Sequence, residues 1–300
     1  MAISFHQNPS PRARPQPGGT SDKYSETIDE IVPYDGGILH YRLEGCADAG
    51  SPVLLFSNAF LTNLHIWDST VSLLKARHPE YRFLPYDTRG YLPSSLGTTH
   101  SITLDVLTTD ISNLLSRLSI PHVHTLIGSK FGGVLALAFA SRYPSCLENL
   151  IVCGCEISTT PKSEKTCDET LRYVRTWGMN GVLKDKCVAL WFTADAREGK
   201  EWKCVRDMVA GMDYEGLEGT IGAQYAFDER GNLGKIRCPT LFVSGSEDGI
   251  LPETMSMYPE MMGGAAEYRG IGRASGLPMM ERPDAFVEVI SDFLRLGDDP

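Results

Sequence analysis

The spacing of apolar positions along the chain changes several times, and each change predicts an element. From Ile28 to Gly45 apolar and polar residues alternate around Asp35-Gly36-Gly37, a pattern that predicts a β-hairpin. "PVLLFSN" (52–58) is a short continuous apolar run, as in a strand buried on both faces. "IWDSTVSLLKARHP" (66–79) predicts a helix closed by Pro79, and "YRFLPYDTRG" (81–90) predicts another strand. In "TLDVLTTDISNLLSRLSI" (103–120), Leu104, Leu107, Ile111, Leu114, Leu115 and Leu118 fall on one helical face. Thr125 to Gly128 reads as a strand, and a helix follows from Phe131. "LENLIVCGC" (147–155), "CPTLFVSGSED" (238–248) and "AAEYRGI" (265–271) add strands, and "RPDAFVEVISDFLRL" (282–296) predicts a closing helix.

Strands alternating with helices predict an α/β fold, its parallel sheet covered on both faces. Between about Glu156 and Gly234 strand runs vanish, and helical stretches rich in Trp, Met and charge replace them. The expected organisation is therefore a Pro-, Ser- and Arg-rich disordered tail over 1–25, a core over 26–155 and 236–300, and an inserted helical lid over 156–235. No internal repeat is present.

Charge and composition narrow the function classes. A net charge of −10 supplies no basic field for phosphates, so nucleic-acid binding is not expected. No apolar run reaches the ~20 residues that span a bilayer. The first 23 residues lack the apolar middle of a secretory signal, and the expected location is cytoplasmic. The eight cysteines are scattered; Cys153-Gly-Cys155 has the spacing of neither a zinc site nor a redox pair, so no metal is expected. Without a Gly-rich phosphate loop or dinucleotide fingerprint, no organic cofactor is expected. The expected partner is a small-molecule substrate; the oligomeric state stays open, a homodimer being one option.

The candidate chemistry centres on "LIGSKFGG" (126–133). A strand, a tight glycine-flanked turn and a helix are the setting in which G-x-S-x-G presents a nucleophilic serine. Here the third position is Lys130, and Ser129 sits one residue early, where a hydroxyl would be aimed elsewhere. The order of motifs resembles the α/β-hydrolase fold, and its pattern is similar to that of 3-oxoadipate enol-lactonases. The resemblance rests on "LLFSNAFLTNLHIWD", "YDTRGYLPSS", "LIGSKFGG", "WGMNGVLKDKCVALWFT", "PTLFVSGSEDGILP" and "GRASGLPMMERPDAFVEVISDFL", and covers residues 28 to 296. It implies a mostly parallel central sheet flanked by helices, with an inserted helical lid. It also implies Asp248 as the triad acid, the amides of Phe60 and Phe131 as an oxyanion hole, and Asn58 in place of the histidine of the commoner H-G loop. The chain departs from that pattern twice. Lys130 occupies the nucleophile slot, and Gly276 occupies the histidine slot; no histidine follows His124. A serine hydroxyl needs an adjacent base, so hydrolysis by the triad route is not expected.

The two departures fit together. Loss of an imidazole at 276 leaves a hole that a lysine at 130 can fill, bringing its ammonium toward Asp248. Two enzymatic forms follow. A neutral amine at 130 would form a Schiff base, suited to lyase or condensation chemistry. An ammonium would hydrogen-bond a substrate carbonyl, suited to cyclisation, cycloaddition or isomerisation of a polyketide-like metabolite, and pairing with a carboxylate favours this form. Such divergent members resemble accessory enzymes of fungal secondary metabolism. The alternative is a catalytically dead homologue that binds a ligand or partner. The expected pocket comprises Asn58, His65, Ser129, Cys155, Trp191, Phe192 and Gly276, with Trp177, Met179, Met208, Met212, Tyr225 and Phe227 as further candidate walls. Arg89 is expected to hold its loop together or to meet an acidic substrate.

Overall fold

The computed structural model describes residues 24–297 apart from 32, 34, 99–101, 160, 180 and 182–187. The tail expected over 1–25 lies outside the described residues except for Tyr24 and Ser25, which open the first strand.

Eight strands form one sheet: β1 (Tyr24–Ile31), β2 (Leu39–Cys46), β3 (Val53–Ser57), β4 (Arg82–Pro85), β5 (Val123–Ser129), β6 (Leu147–Cys153), β7 (Thr240–Gly245) and β8 (Ala266–Ile271). Their order is β1-β2-β4-β3-β5-β6-β7-β8. The β1–β2 hairpin and the β2–β4 pairing are antiparallel, and every later pairing is parallel. Continuous apolar runs become the central strands because helices cover both faces there. All residues of β3, β5 and β7 are buried, and each large aliphatic side chain so buried contributes about 1.5–3 kcal/mol.

The flanking helices are α1 (Asp68–Arg77), α2 (Leu104–Arg117), α3 (Phe131–Arg142), α7 (Leu251–Ser256), α8 (Pro278–Glu281) and α9 (Pro283–Gly297). The inward face of α2 buries Leu104, Leu107, Ile111, Leu114 and Leu115, and the Thr103 hydroxyl caps its start by accepting from the Val106 amide. Helix α3 is apolar all round, and ten of its residues are buried, because it packs against β5 and β6 beneath other elements.

Between β6 and β7 the chain leaves the sheet and forms α4 (Pro161–Trp177), a helical stretch at 188–191, α5 (Lys200–Gly211) and α6 (Tyr214–Tyr225). A short antiparallel stem ties its two ends together: the Thr159 amide donates to the Phe227 carbonyl and the Glu229 amide to the Ile157 carbonyl. No helix among the described residues is long and apolar enough to cross a membrane.

Candidate active site

Strand β5 runs into α3 through a single residue, Lys130. Its backbone sits at φ 53°, ψ −117°, a left-handed conformation that strains any residue with a Cβ. Three hydrogen bonds hold it there. The Lys130 amide donates to the Cys153 carbonyl at 2.8 Å, and its own carbonyl accepts from the Gly133 and Val134 amides at 2.9 and 3.2 Å. The turn also needs bare glycine: a Cβ on Gly132 would collide with the Ser57 carbonyl, and one on Gly128 with the Gly132 carbonyl. Backbone packing therefore presents whatever side chain stands at 130 above the C-terminal ends of the strands, where an open α/β sheet binds ligands.

The Lys130 ammonium donates to Asp248 Oδ2 at 2.6 Å. Asp248 lies in the loop after β7, its amide donating to the Gly245 carbonyl. Both side chains are largely buried, 16% and 10% exposed. Gly276 closes the third side. A Cβ there would stand 2.8 Å from both Lys130 Cε and Nζ, and 3.1 Å from Trp191 Cα. A histidine at 276 and the lysine as placed exclude one another.

Glu281 fastens this corner. One of its carboxylate oxygens accepts from the amide and hydroxyl of Thr193, both at 2.8 Å, and the other accepts from the Ser275 amide at 2.6 Å. The Leu277 amide also donates to the Trp191 carbonyl at 3.1 Å. The inserted segment is thereby bolted to the loop that carries Gly276.

Lys130 and Asp248 border a cavity of about 380 Å³, within the size range of small-molecule sites. Phe131, Val134, Trp191, Tyr225, Phe227 and Leu251 supply its apolar wall; Cys155, Glu156 and Gln224 add polar groups. A larger cavity of about 590 Å³ lies elsewhere, beside Thr62, Leu92 and Met208. It is lined by neither Lys130 nor Asp248, so the smaller cavity is taken as the candidate site.

Several expected pocket residues stand elsewhere. Asn58 is buried but fully engaged: its amide nitrogen donates to the Tyr86 carbonyl (2.8 Å) and Asp87 Oδ1 (3.3 Å), and its oxygen accepts from Trp67 Nε1 (2.8 Å). It is a bracket beneath the site. His65 is about half exposed, pairs with Asp68 at 2.9 Å and lines the larger cavity, because the turn at 64–67 carries it outward. Ser129 is wholly buried in β5, in register with Cys153, and does not line the cavity. Phe192 is 2% exposed and belongs to the core rather than to the cavity wall. Met208 and Met212 line the larger cavity, and Trp177 is 67% exposed. Phe60 packs edge-on against Phe131, ring centroids 6.3 Å apart, and supports the cavity floor. Phe131 opens α3, so its amide has no helical carbonyl to reach.

Cys155 lines the cavity, but burial pushes its thiol up, and burial pushes Cys153 up to about 12. Both stay protonated near neutral pH and are poor nucleophiles. Arg89 does not line the Lys130 cavity; it borders a separate pocket of about 300 Å³ together with Asp35 and Asp110. Its guanidinium spans Asp110 through Nε (2.7 Å) and Nη2 (2.5 Å) and reaches Asp35 and the Leu96 carbonyl through Nη1. Glu156, Gln224 and Glu281 were not singled out from the sequence. Glu156 had a signal, its place three residues past the end of β6; the others depend on how the inserted segment docks.

Comparison with known proteins agrees with the fold. A family model described as the alpha/beta hydrolase fold matches residues 52–189. 3-Oxoadipate enol-lactonase 2 of Acinetobacter baylyi is 27% identical over 265 residues, covering 86% of this chain and 93% of that protein. The crystal structure of the enol-lactonase from Burkholderia xenovorans LB400 has a TM-score of 0.80 at 29% identity, covering 89% of this chain and all of that one. A hydrolase from Pseudomonas aeruginosa PA01 also has a TM-score of 0.80, at 27% identity, with 89% and 98% coverage.

Proposed function

Because this chain belongs to the α/β-hydrolase superfamily, with enzymes among its relatives, we propose that it is an enzyme whose elbow lysine has redirected the fold from hydrolysis to non-hydrolytic chemistry on a small carbonyl compound. One observation carries this reading: the nucleophile position holds Lys130 in the strained elbow backbone, its ammonium 2.6 Å from Asp248 and its side-chain end in the space beside Gly276. A structural ion pair alone would not need a strained turn to aim it into a cavity.

In this reading the Lys130 ammonium donates to the substrate carbonyl, and the Phe60 and Phe131 amides share the charge that develops on oxygen. Removing one such fixed donor costs about 3 kcal/mol of transition-state stabilisation. Asp248 holds the ammonium in place. The outcome is enolisation-type chemistry that leads to cyclisation, isomerisation or carbon–carbon bond change, with the α proton passing to solvent.

The test compares wild type with Lys130→Ala and Lys130→Arg on enolisable ketones in heavy water, following α-proton exchange by NMR. Wild type is expected to accelerate exchange, Lys130→Ala to lose about 100-fold, and Lys130→Arg to recover part. Nitrophenyl esters should not be turned over, and a fluorophosphonate probe should label nothing. Unchanged exchange in Lys130→Ala, or labelling at Ser129 with ester turnover, overturns the proposal. A borohydride-trapped adduct on Lys130 would replace the cationic role with Schiff-base chemistry.

A further inference from the structure

The chain leaves β6 through Gly154 and reaches Glu156 two residues later. Gly154 lies against the ion pair: a Cβ there would stand 3.3 Å from Asp248 Oδ2 and 3.5 Å from Lys130 Cε. The backbone is tied down on both sides of Glu156. The Gly154 amide donates to the Val243 carbonyl at 2.8 Å, and the Ile157 carbonyl accepts from the Glu229 amide at 2.7 Å. Glu156 borders the same cavity as Lys130. Among the described residues, two carboxylates and one thiol line that cavity. Asp248 is engaged by the Lys130 ammonium at 2.6 Å, and burial keeps the Cys155 thiol protonated. Glu156 is exposed, and its carboxylate makes no hydrogen bond or ion pair among the described residues.

We infer that Glu156 is the general base of this site, the group that takes the α proton from a ketone held by Lys130. This rests on the reading of Lys130 as the carbonyl donor and supplies the route by which the proton reaches solvent. A carboxylate can serve as base to a ketone where fixed donors stabilise the enolate oxygen. In the step, the α C–H bond breaks and its electron pair becomes the carbon–carbon π bond of the enolate. The former carbonyl π pair moves onto oxygen, facing the Lys130 ammonium, and the proton bonds to a Glu156 oxygen. Exposure then matters: a carboxyl group open to water exchanges its proton, so carbon recaptures a solvent-derived one. Asp248 could not act in this way without giving up the ammonium.

The experiment follows deuterium entry into the methyl group of carbonyl-¹³C acetophenone in heavy water, in carboxylate-free buffer, and records the carbonyl resonance of the bound ketone. Glu156→Gln should lose about 100-fold or more in exchange rate while keeping the wild-type carbonyl shift, which also shows that the site is folded. Glu156→Ala should lose as much, and added formate should raise its rate in proportion to formate concentration while leaving wild type unchanged. Exchange that survives in Glu156→Gln overturns the inference. So does a Glu156→Ala protein that formate does not rescue, or a Glu156→Gln protein that has lost the carbonyl shift, since either would make the side chain structural. The underlying reading is judged separately by Lys130→Met. If the carbonyl shift is unmoved by that change, the carbonyl-donor reading falls, even where exchange still depends on Glu156. A wild type that neither shifts the carbonyl nor speeds exchange overturns both.

Discussion

Two buried cation–carboxylate groups in this molecule differ in one respect. Arg89, 2% exposed, spends Nε and both terminal nitrogens on Asp110, Asp35 and a backbone carbonyl, and hydrogen bonding to both carboxylates holds its pKa above the ordinary value despite burial. Lys130 makes one side-chain hydrogen bond among the described residues, to Asp248, and its ammonium has two further N–H donors beside the cavity. Saturation marks the first group as structural. Unspent donors on a strained turn make the second the candidate site.

The largest expected effect tests whether the second group replaced a triad. Lys130→Ser with Gly276→His should restore nucleophile and base beside Asp248 and raise nitrophenyl acetate hydrolysis by about 100-fold or more over wild type. Gly276→His alone should gain no hydrolysis, since Lys130 still holds the nucleophile position. The next effect is on stability. Arg89→Ala leaves Asp110 and Asp35 without their cation and should cost about 3–5 kcal/mol in denaturant unfolding, with ketone binding intact in the folded fraction. Removing the whole Lys130–Asp248 pair as Lys130→Met with Asp248→Leu should be neutral or stabilising by about 1–4 kcal/mol while abolishing that binding. A large stability loss there would make the pair structural, like Arg89.

Smaller effects sharpen the same contrast. Cys153 and Cys155, held protonated by burial, should resist iodoacetamide in the native protein near pH 8, and Cys155→Ser should leave ketone exchange within about twofold. Peptide mass mapping checks this. The smallest effect belongs to the exposed pair His65–Asp68. The hydrogen bond to Asp68 raises the His65 pKa above 6.5, against a smaller desolvation effect. Its stabilisation is therefore complete below pH 6.5, the unfolded value, and fades as pH rises through the folded pKa. Solvent screening limits it to less than about 1 kcal/mol. Unfolding midpoints of wild type and His65→Gln should differ at pH 6 and converge toward pH 8.

Much of the scaffold was legible because its signals are local. β3, β5, β6 and β7 are apolar runs bracketed by turn residues, and the elbow is announced by Gly128 and Gly132, which the close backbone packing requires. The Lys130–Asp248 contact spans 118 residues, yet both positions lie at strand ends that the parallel sheet brings together. His65 misled because nearness in sequence to the loop after β3 does not reveal that its turn faces outward. Gln224 was illegible for a related reason. Helix α6 carries small, polar and apolar residues with no clear stripe, and only the docking of the inserted segment decides that Gln224 borders the cavity. Glu281 stood inside a quoted motif, but its clamp joins Thr193, 88 residues away, to Ser275.

The central claim is that the Lys130 ammonium engages a ligand carbonyl. Carbonyl-¹³C acetophenone titrated into wild type should show a downfield carbonyl shift, the signature of a strong hydrogen bond to oxygen, and Lys130→Met should remove that shift. A bound ketone whose carbonyl resonance is identical in the two proteins would contradict the account.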